Sequence, residues 1–199
     1  MGTTDTAAVQ RLERVGILRL RELEALGHSR ADIARLAERG AIERVGRGLY
    51  ALPNRDVPAN HALAVAAKRV PRGVVCLLSA LQFHELTTQL PREVWLAIGE
   101  KDWRPVDDGL HVRIVRFSLP ALSEGVDTHV IDGVDVRVFG VAKTIADCFK
   151  YRNKIGLDVA LEALREGLRQ RRCSADELWR YARIDRVANV MRPYIEALA

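Results

Sequence analysis

The sequence has 199 residues, of which 48% are hydrophobic and 29% are charged. This ordinary globular balance excludes a largely disordered chain, and the lack of an apolar run of about 18 residues argues against a membrane protein. The formal net charge of +5 favours a nucleic-acid partner, because cationic side chains replace the counterions condensed on phosphate. The length suits a small domain followed by a larger one.

The start MGTTDTAAVQ lacks the apolar core of a signal peptide, so we expect a cytoplasmic protein that does not associate with membranes. Three cysteines, Cys76, Cys148 and Cys173, lie far apart with no CxxC or Cys/His spacing. This pattern predicts buried free thiols and neither a disulfide framework nor a zinc site. We expect no cofactor.

The first part of the chain carries signals for three short helices. Residues 7–15 form the first helix, and the second takes its apolar positions from Leu18, Leu20, Leu23 and Leu26 before Gly27 breaks it. Ser29 is a good N-cap for a third helix over residues 30–39, which Gly40 ends. Arginines of this third helix lie mainly off its apolar face.

After Gly40 the apolar residues alternate on both sides of a Gly46-Arg47-Gly48 turn, which predicts a tight hairpin. Residues 53–58 (PNRDVP) read as a linker because they are rich in turn formers. We therefore predict an α+β protein with two domains. Residues 1–55 form a winged helix-turn-helix, and residues 59–199 form a mixed α+β domain.

The larger domain is predicted to begin with a helix over residues 59–69 and a second helix that Ser79 caps and that runs through His84. Strands are expected over residues 93–98, 111–117, 128–131 and 134–139. Asp132-Gly133 is a strong hairpin signal between the last two strands. Four helices, over residues 142–151, 157–170, 175–182 and 186–198, close the chain.

The N-terminal order of helix, turn, capped helix and glycine-tipped hairpin is typical of a winged helix, whose second paired helix enters the DNA major groove. Arginines on that helix can donate two hydrogen bonds to guanine, and an arginine between two glycines can approach the DNA backbone closely. We predict DNA contacts from Ser29, Arg30, Arg35, Arg39, Arg44 and Arg47. The alternative is a protein-interaction module in which these arginines are ordinary surface residues.

Another cationic segment follows Val141. Lys143, Asp147 and Lys150 share one helical face, and Arg152 and Lys154 follow in the loop. One interpretation is a solvated face on which the acid pairs with a lysine. The other is a basic surface that touches DNA, RNA or an acidic partner, and the sequence does not choose between them.

An enzyme is the remaining class. His84 and Glu85 follow Cys76 and Ser79, which invites comparison with a nucleophile and its base. However, the spacing is uninformative, the five histidines are scattered, and no GxSxG, Walker A or HExxH motif occurs. We therefore expect no intrinsic catalysis.

The string GILRLRELEALGHSRADIARLAERGAIERVGRGLYALP resembles the N-terminal domain of AbiEi-type antitoxins. Two later strings, VVCLLSALQFHELTTQLPREVWLAI and VFGVAKTIADCFKYRNKIGLDVALEAL, resemble the C-terminal antitoxin domain of that family. The resemblance implies a repressor of its own toxin–antitoxin operon, with a role in phage defence. It also implies opposition to a nucleotidyltransferase-like AbiEii toxin, with direct contact left open.

A single winged helix reads only a few base pairs, with discrimination of about 1–3 kcal/mol for each good bidentate pair. Two copies on the two halves of an inverted repeat are therefore expected, as a dimer on DNA. Whether the copies pair before or upon DNA binding is open.

Overall fold

The structure, a computed structural model, describes residues 3–53, 60–104 and 111–198. The chain divides into two compact units. Unit 1 comprises the described parts of Met1–Pro71 together with His129–Val136. Unit 2 comprises the described parts of Arg72–Arg104, His111–Thr128 and Arg137–Ala199. The predicted linker at residues 54–58 and the predicted start of the following helix at Ala59 lie outside the described residues, so the predicted domain boundary stays a prediction.

Helices and a small sheet alternate along unit 1. Its elements are α1 (Thr3–Val15), β1 (Ile17–Arg19), α2 (Leu20–Ala25), α3 (Arg30–Glu38), β2 (Glu43–Gly46), β3 (Leu49–Ala51) and α4 (His61–Arg69). The strands form an antiparallel sheet in the order β1-β3-β2. The prediction that Leu18 belongs to the second helix is wrong, because Leu18 pairs with Tyr50 in the sheet.

The core of unit 1 follows from the apolar spacing of its helices. Ile33 and Leu36 of α3 are buried against Leu12 of α1 and Leu23 of α2. Each such side chain contributes about 1.5–3 kcal/mol when it is fully buried. The remaining members of the buried cluster are Ala8, Leu18 and Ile42. One apolar face of α3 is thereby fixed inward, which leaves its opposite face to solvent.

Residues 129–136 lie against two positions in the first stretch of unit 1, Gly16 and His61. His61 Nδ1 lies 2.6 Å from Asp132 Oδ2. Gly16 has a φ of +67°, and a Cβ added there would lie 2.3 Å from the carbonyl oxygen of Asp132. A side chain at residue 16 is therefore excluded by both backbone conformation and space.

Unit 2 combines a mixed sheet with helices. The remaining elements of the chain are β4 (Val74–Val75), α5 (Leu77–Phe83), β5 (Val94–Gly99), β6 (Val112–Phe117), α6 (Leu119–Ser123), β7 (Val126–Ile131), β8 (Val134–Phe139), α7 (Val141–Lys150), α8 (Arg152–Ile155), α9 (Leu157–Arg169), α10 (Ala175–Ile184) and α11 (Ala188–Leu198). The five strands follow the order β6-β5-β4-β8-β7. Because β5–β6 is parallel and β4–β5 antiparallel, the sheet is mixed, and the protein is α+β as predicted.

Two local predictions for this part of the chain have different outcomes. Asp132 and Gly133 both have positive φ, at 51° and 68°, as a type I′ hairpin turn requires. Ser79 does not cap a helix, because α5 already begins after Cys76. The Ser79 hydroxyl instead accepts a hydrogen bond from the Trp95 backbone N–H at 3.0 Å.

Helix α7 lies in the centre of the unit 2 core. Ile145, Ala146, Cys148 and Phe149 have no exposed surface. Gly167 of α9 faces this helix, and a Cβ added there would lie 2.7 Å from Ile145 Cδ1. The missing side chain therefore permits close packing of α9 on α7.

Within the described ranges, no helix combines the length and apolar character needed to cross a membrane.

Candidate nucleic-acid interface

Helix α3 has a well-formed N-terminus. The Ser29 hydroxyl accepts from the Asp32 backbone N–H at 3.2 Å, and the Ser29 backbone N–H donates to Asp32 Oδ2 at 2.9 Å, which completes a capping box. The hydroxyl also donates to Asp32 Oδ2 at 2.6 Å. These bonds from the Ser29 side chain and backbone hold the pKa of the exposed Asp32 below its ordinary value. Ser29 thus positions the helix, and its hydroxyl is already engaged.

The outward face of α3 carries long cations around small residues. Arg30 and Arg35 have side-chain exposures of 79% and 66%. Ala31 and Ala34 are exposed between them, which leaves room for another molecule to approach the helix backbone. Arg35 Nη2 donates to Asp32 Oδ1 at 2.5 Å. Arg35, Arg39, Asp32 and Glu38 line an open cleft of about 280 Å³ on this helix.

The β2–β3 hairpin presents two further arginines that the sequence predicted as DNA contacts. Arg47 lies exposed in the turn beside Gly48, whose φ of +66° favours glycine. Arg44 is exposed on β2, and its Nε donates to the Gly46 carbonyl at 3.2 Å. A register shift between Arg44 and Gly46 bulges the strand just before the turn.

A second open cleft, of about 310 Å³, lies in unit 1 and is mainly cationic. It is lined by Arg19, Arg21, Arg30, Arg47, Lys68 and Arg69, with Glu24 as the acidic residue among its lining. We call it the basic cleft. It brings together two of the predicted contact residues, Arg30 and Arg47. The other four cations were not predicted as site residues.

The predicted basic surface after Val141 requires correction. Lys143 and Asp147 have no exposed surface, and their side chains form a buried ion pair. Lys143 Nζ also lies 3.2 Å from Asp185 Oδ2, and Lys150 Nζ lies 3.7 Å from Asp185 Oδ1. The prediction that Lys143 and Asp147 lie on a surface is therefore wrong, because Asp185, directly after α10, supplies a second carboxylate that helps to hold the lysine inside. We call Lys143, Asp147 and Asp185 the buried ionic network.

Aromatic rings and apolar packing surround this network. Lys143 Nζ lies 5.1 Å and 4.6 Å from the ring centroids of Phe117 and Phe139. Burial raises the pKa of Asp147 well above its ordinary value, and Asp185 raises it further while Lys143 opposes the change. From the rest of the predicted basic surface, Lys154 is exposed, and Arg152 Nη1 donates to the Phe149 carbonyl at 2.9 Å.

Two of the residues considered for catalysis, Ser79 and His84, bond to the backbone through their side chains. His84 is buried, and its Nε2 lies 2.7 Å from the Phe139 carbonyl oxygen. Burial raises the pKa of the Cys76 thiol well above its ordinary value, which disfavours the nucleophilic thiolate. No group of three or more potential metal-ligating side chains occurs among the residues that the structure describes.

Comparison with known proteins bears directly on the N-terminal segment. Residues 8–53 match the family described as "Transcriptional regulator, AbiEi antitoxin". This segment is similar to AbiEi antitoxins, and we call it the AbiEi segment. This AbiEi segment runs from α1 through the β2–β3 hairpin, so it contains the whole outward face of α3 and the turn that carries Arg47. The resemblance stated from the sequence is confirmed over this segment.

A solved structure is similar to the complete chain. The crystal structure of the RV2827C protein from Mycobacterium tuberculosis superposes with a TM-score of 0.61 at 15% sequence identity. The match covers 100% of this chain and 81% of that chain. At this identity the similarity concerns the fold alone. A search of curated proteins found no match.

The predicted arginines of α3 and β2 lie within the AbiEi segment, whereas the basic cleft extends beyond it. Arg35, Arg39 and Arg44 lie inside it, as do the four basic-cleft residues Arg19, Arg21, Arg30 and Arg47. Lys68 and Arg69 come from α4, which follows the segment. The separate stretches RLR and KR are visible in the sequence, but only the fold places them beside one another.

Proposed function

We propose that this protein is a DNA-binding transcriptional regulator and that the AbiEi segment is a winged helix-turn-helix. In this proposal α2 and α3 are the paired helices, and the β2–β3 hairpin is the wing. The single observation that carries it is the outward face of α3, where exposed arginines flank Ala31 and Ala34. A face with short central side chains and long cationic neighbours suits a helix that enters a groove walled by phosphates.

The individual side chains have distinct roles in this proposal. Arg35 donates to a guanine edge once it leaves Asp32, and Ala31 or Ala34 contacts a thymine methyl. Arg47 in the wing meets the backbone or minor groove, because the turn glycines allow close approach. Arg39 and Arg44 contact phosphates at the edges of this surface. Ser29 contributes indirectly, because its capping box with Asp32 stabilises the N-terminus of α3.

The operator and the partner are further parts of this proposal, and the similarity of residues 8–53 to AbiEi antitoxins supports them. We propose that two copies bind an inverted repeat upstream of the protein's own gene and repress that operon. The antitoxin activity is assigned to unit 2, which opposes a nucleotidyltransferase-like toxin. Lys150, Arg152 and Lys154 are the candidates for a surface that serves this activity. Co-expression with an adjacent toxin gene tests the assignment, since a triple alanine variant of these residues should fail to restore growth.

DNA binding is tested by fluorescence anisotropy with duplex from the region upstream of the gene and with scrambled duplex of equal length. The wild type should prefer the upstream duplex. Arg35→Ala should lose this preference and Arg47→Ala should weaken binding to both duplexes, whereas Arg183→Ala, an exposed arginine of α10, should change neither the preference nor the affinity. Equal weak binding to both duplexes would contradict the operator and favour the protein-interaction module.

A further inference from the structure

We propose that the basic cleft binds the phosphodiester backbone of nucleic acid and extends the DNA contact beyond the AbiEi segment to the last turn of α4. The inference rests on the proposed function and extends it from the outward face of α3, with which the basic cleft shares Arg30, to residues outside that face. It assigns Arg21, Lys68 and Arg69 to DNA binding, and it gives Arg19 the role of holding α4 against the cleft.

The first argument is convergence of charge. The six cations come from β1, α2, α3, the β2–β3 turn and α4, so no single helix face accounts for them. Glu24 is the acid that lines the same space. Like charges from five separate places meet at an electrostatic cost unless an anion compensates them. Phosphate is the anion for which arginine clusters have the best geometry.

The second argument is that α4 is fastened to the cleft. Arg19 Nη2 donates to the Lys68 carbonyl, and Arg69 Nη1 donates to the Arg47 carbonyl at 3.3 Å. Lys68 Nζ lies 3.1 Å from both carboxylate oxygens of Glu22 on α2. These bonds tie the last turn of α4 to β1, to α2 and to the hairpin turn. The cations are thus held near their binding positions before the ligand arrives, which reduces the entropy lost on binding.

The third argument is that some of the positive charge is not neutralised. Within the described part of the chain, the side chains of Arg21 and Arg47 make no hydrogen bond and no ion pair, and both are exposed. Partial burial lowers the pKa of Arg19, and the neighbouring charges of Arg21 and Arg69 lower it further while Glu22 opposes them. An entering phosphate would relieve this repulsion.

A substitution at Glu24 distinguishes a cleft that binds phosphate from a cleft with only a structural role. Its Oε1 lies 2.9 Å from Arg30 Nε, so the carboxylate competes with phosphate for that arginine. Glu24→Gln removes the competing charge and should tighten duplex binding severalfold at low salt. Glu13→Gln, an exposed acid of α1, makes the same change in net charge and should leave affinity unchanged.

The decisive experiment measures the salt dependence of binding by the full chain to mixed-sequence duplex. Each lost phosphate contact should reduce the slope of log K against log salt by about 0.9. Arg21→Gln and Arg69→Gln should each show this reduction and still distinguish the upstream duplex from the scrambled one. Arg11→Gln, an exposed arginine of α1, is the control with the same charge change and should keep the wild-type slope.

The outcomes separate this inference from the proposed function. Wild-type slopes in Arg21→Gln and Arg69→Gln, together with loss of preference in Arg35→Ala, would overturn the cleft assignment and leave the regulator intact. Failure of the wild type to bind any duplex would overturn both. Stabilisation of the wild type by inorganic phosphate that Arg21→Gln abolishes, with duplex affinity unchanged, would mean that the cleft takes free phosphate, and would also overturn the assignment.

Discussion

Replacing Lys143 with methionine tests whether the buried ionic network stabilises unit 2 as a set of charges. The substitution keeps a long side chain but removes the ammonium group between two carboxylates. Asp147 then has no cationic partner at its ion-pair position, whereas Asp185 retains Lys150 at 3.7 Å. The perturbation thus strands one carboxylate in a site with no exposed surface.

Stranding one member of a buried ion pair costs about 3–5 kcal/mol. We expect the lower end, about 3 kcal/mol, because Lys150 still serves Asp185 and because Asp147 can take up a proton. Burial raises the pKa of Asp147 in the folded state. The contribution of this carboxyl group to the free energy of unfolding is therefore greatest below its unfolded pKa of about 3.9, and it is lost as the pH rises through its folded pKa. The loss in the variant should therefore be smaller at pH 5 than at pH 7.

Urea unfolding followed by tryptophan fluorescence measures the stability of unit 2, because Trp95, Trp103 and Trp179 all belong to that unit. With an m-value of about 2 kcal/mol per molar urea, the midpoint should fall by about 1.5 M. Lys101→Met, at an exposed lysine, should change the free energy of unfolding by less than about 0.5 kcal/mol. A loss below about 1 kcal/mol for Lys143→Met would refute the reasoning.

A double variant separates charge from packing. Lys143→Met combined with Asp147→Leu removes both charges of the buried pair, so no stranded carboxylate remains at residue 147. Because apolar replacement of a buried ion pair is often close to neutral, the double variant should recover at least half of the stability lost in Lys143→Met. A further loss instead would show that specific hydrogen-bond geometry, and not charge balance, dominates this site.

Three further predictions concern the α3 surface and the thiols. Ser29→Ala should cost about 1 kcal/mol of unit 1 stability in a circular-dichroism melt, because the cap is lost, and Ser29→Asn should retain most of it. Ala34→Glu should abolish duplex binding and leave the melting temperature unchanged. Ala197→Glu on α11 is the control and should leave both duplex binding and the melting temperature unchanged. Burial raises the pKa of Cys173 to about 11, so a thiol reagent at pH 8 should label native protein slowly and denatured protein quickly.

The sequence predicts best where a local rule decides the structure. Ser29 begins α3 and Asp132-Gly133 makes a hairpin turn because capping and positive φ depend on the residues themselves. Residue 18 was misassigned because its strand is defined by a partner 32 positions later in the chain, at Tyr50, and not by its neighbours. Short strands beside helices carry too few residues for the alternation to be visible.

The candidate site was only partly predictable for the same reason. Arginines of α3 and the hairpin turn stand out from spacing alone, but their grouping with Lys68 and Arg69 requires α4 to fold back on the sheet. One interpretation of the sequence placed Lys143 on a solvated face, because an ion pair between residues four positions apart, here Lys143 and Asp147, normally lies on a helix surface. Its burial depends on Asp185, 42 positions away, which no local pattern indicates.

The contribution of residues 129–136 to unit 1 has a consequence for synthesis on the ribosome. A chain elongated only as far as Pro71 already contains the complete AbiEi segment, yet His61 has no Asp132 to bond and Gly16 has no turn packed above it. Those contacts form only after residue 136 has left the exit tunnel. A nascent or truncated chain that ends before residue 136 therefore cannot complete unit 1, so the full set of unit 1 contacts is available only to products that also carry part of unit 2.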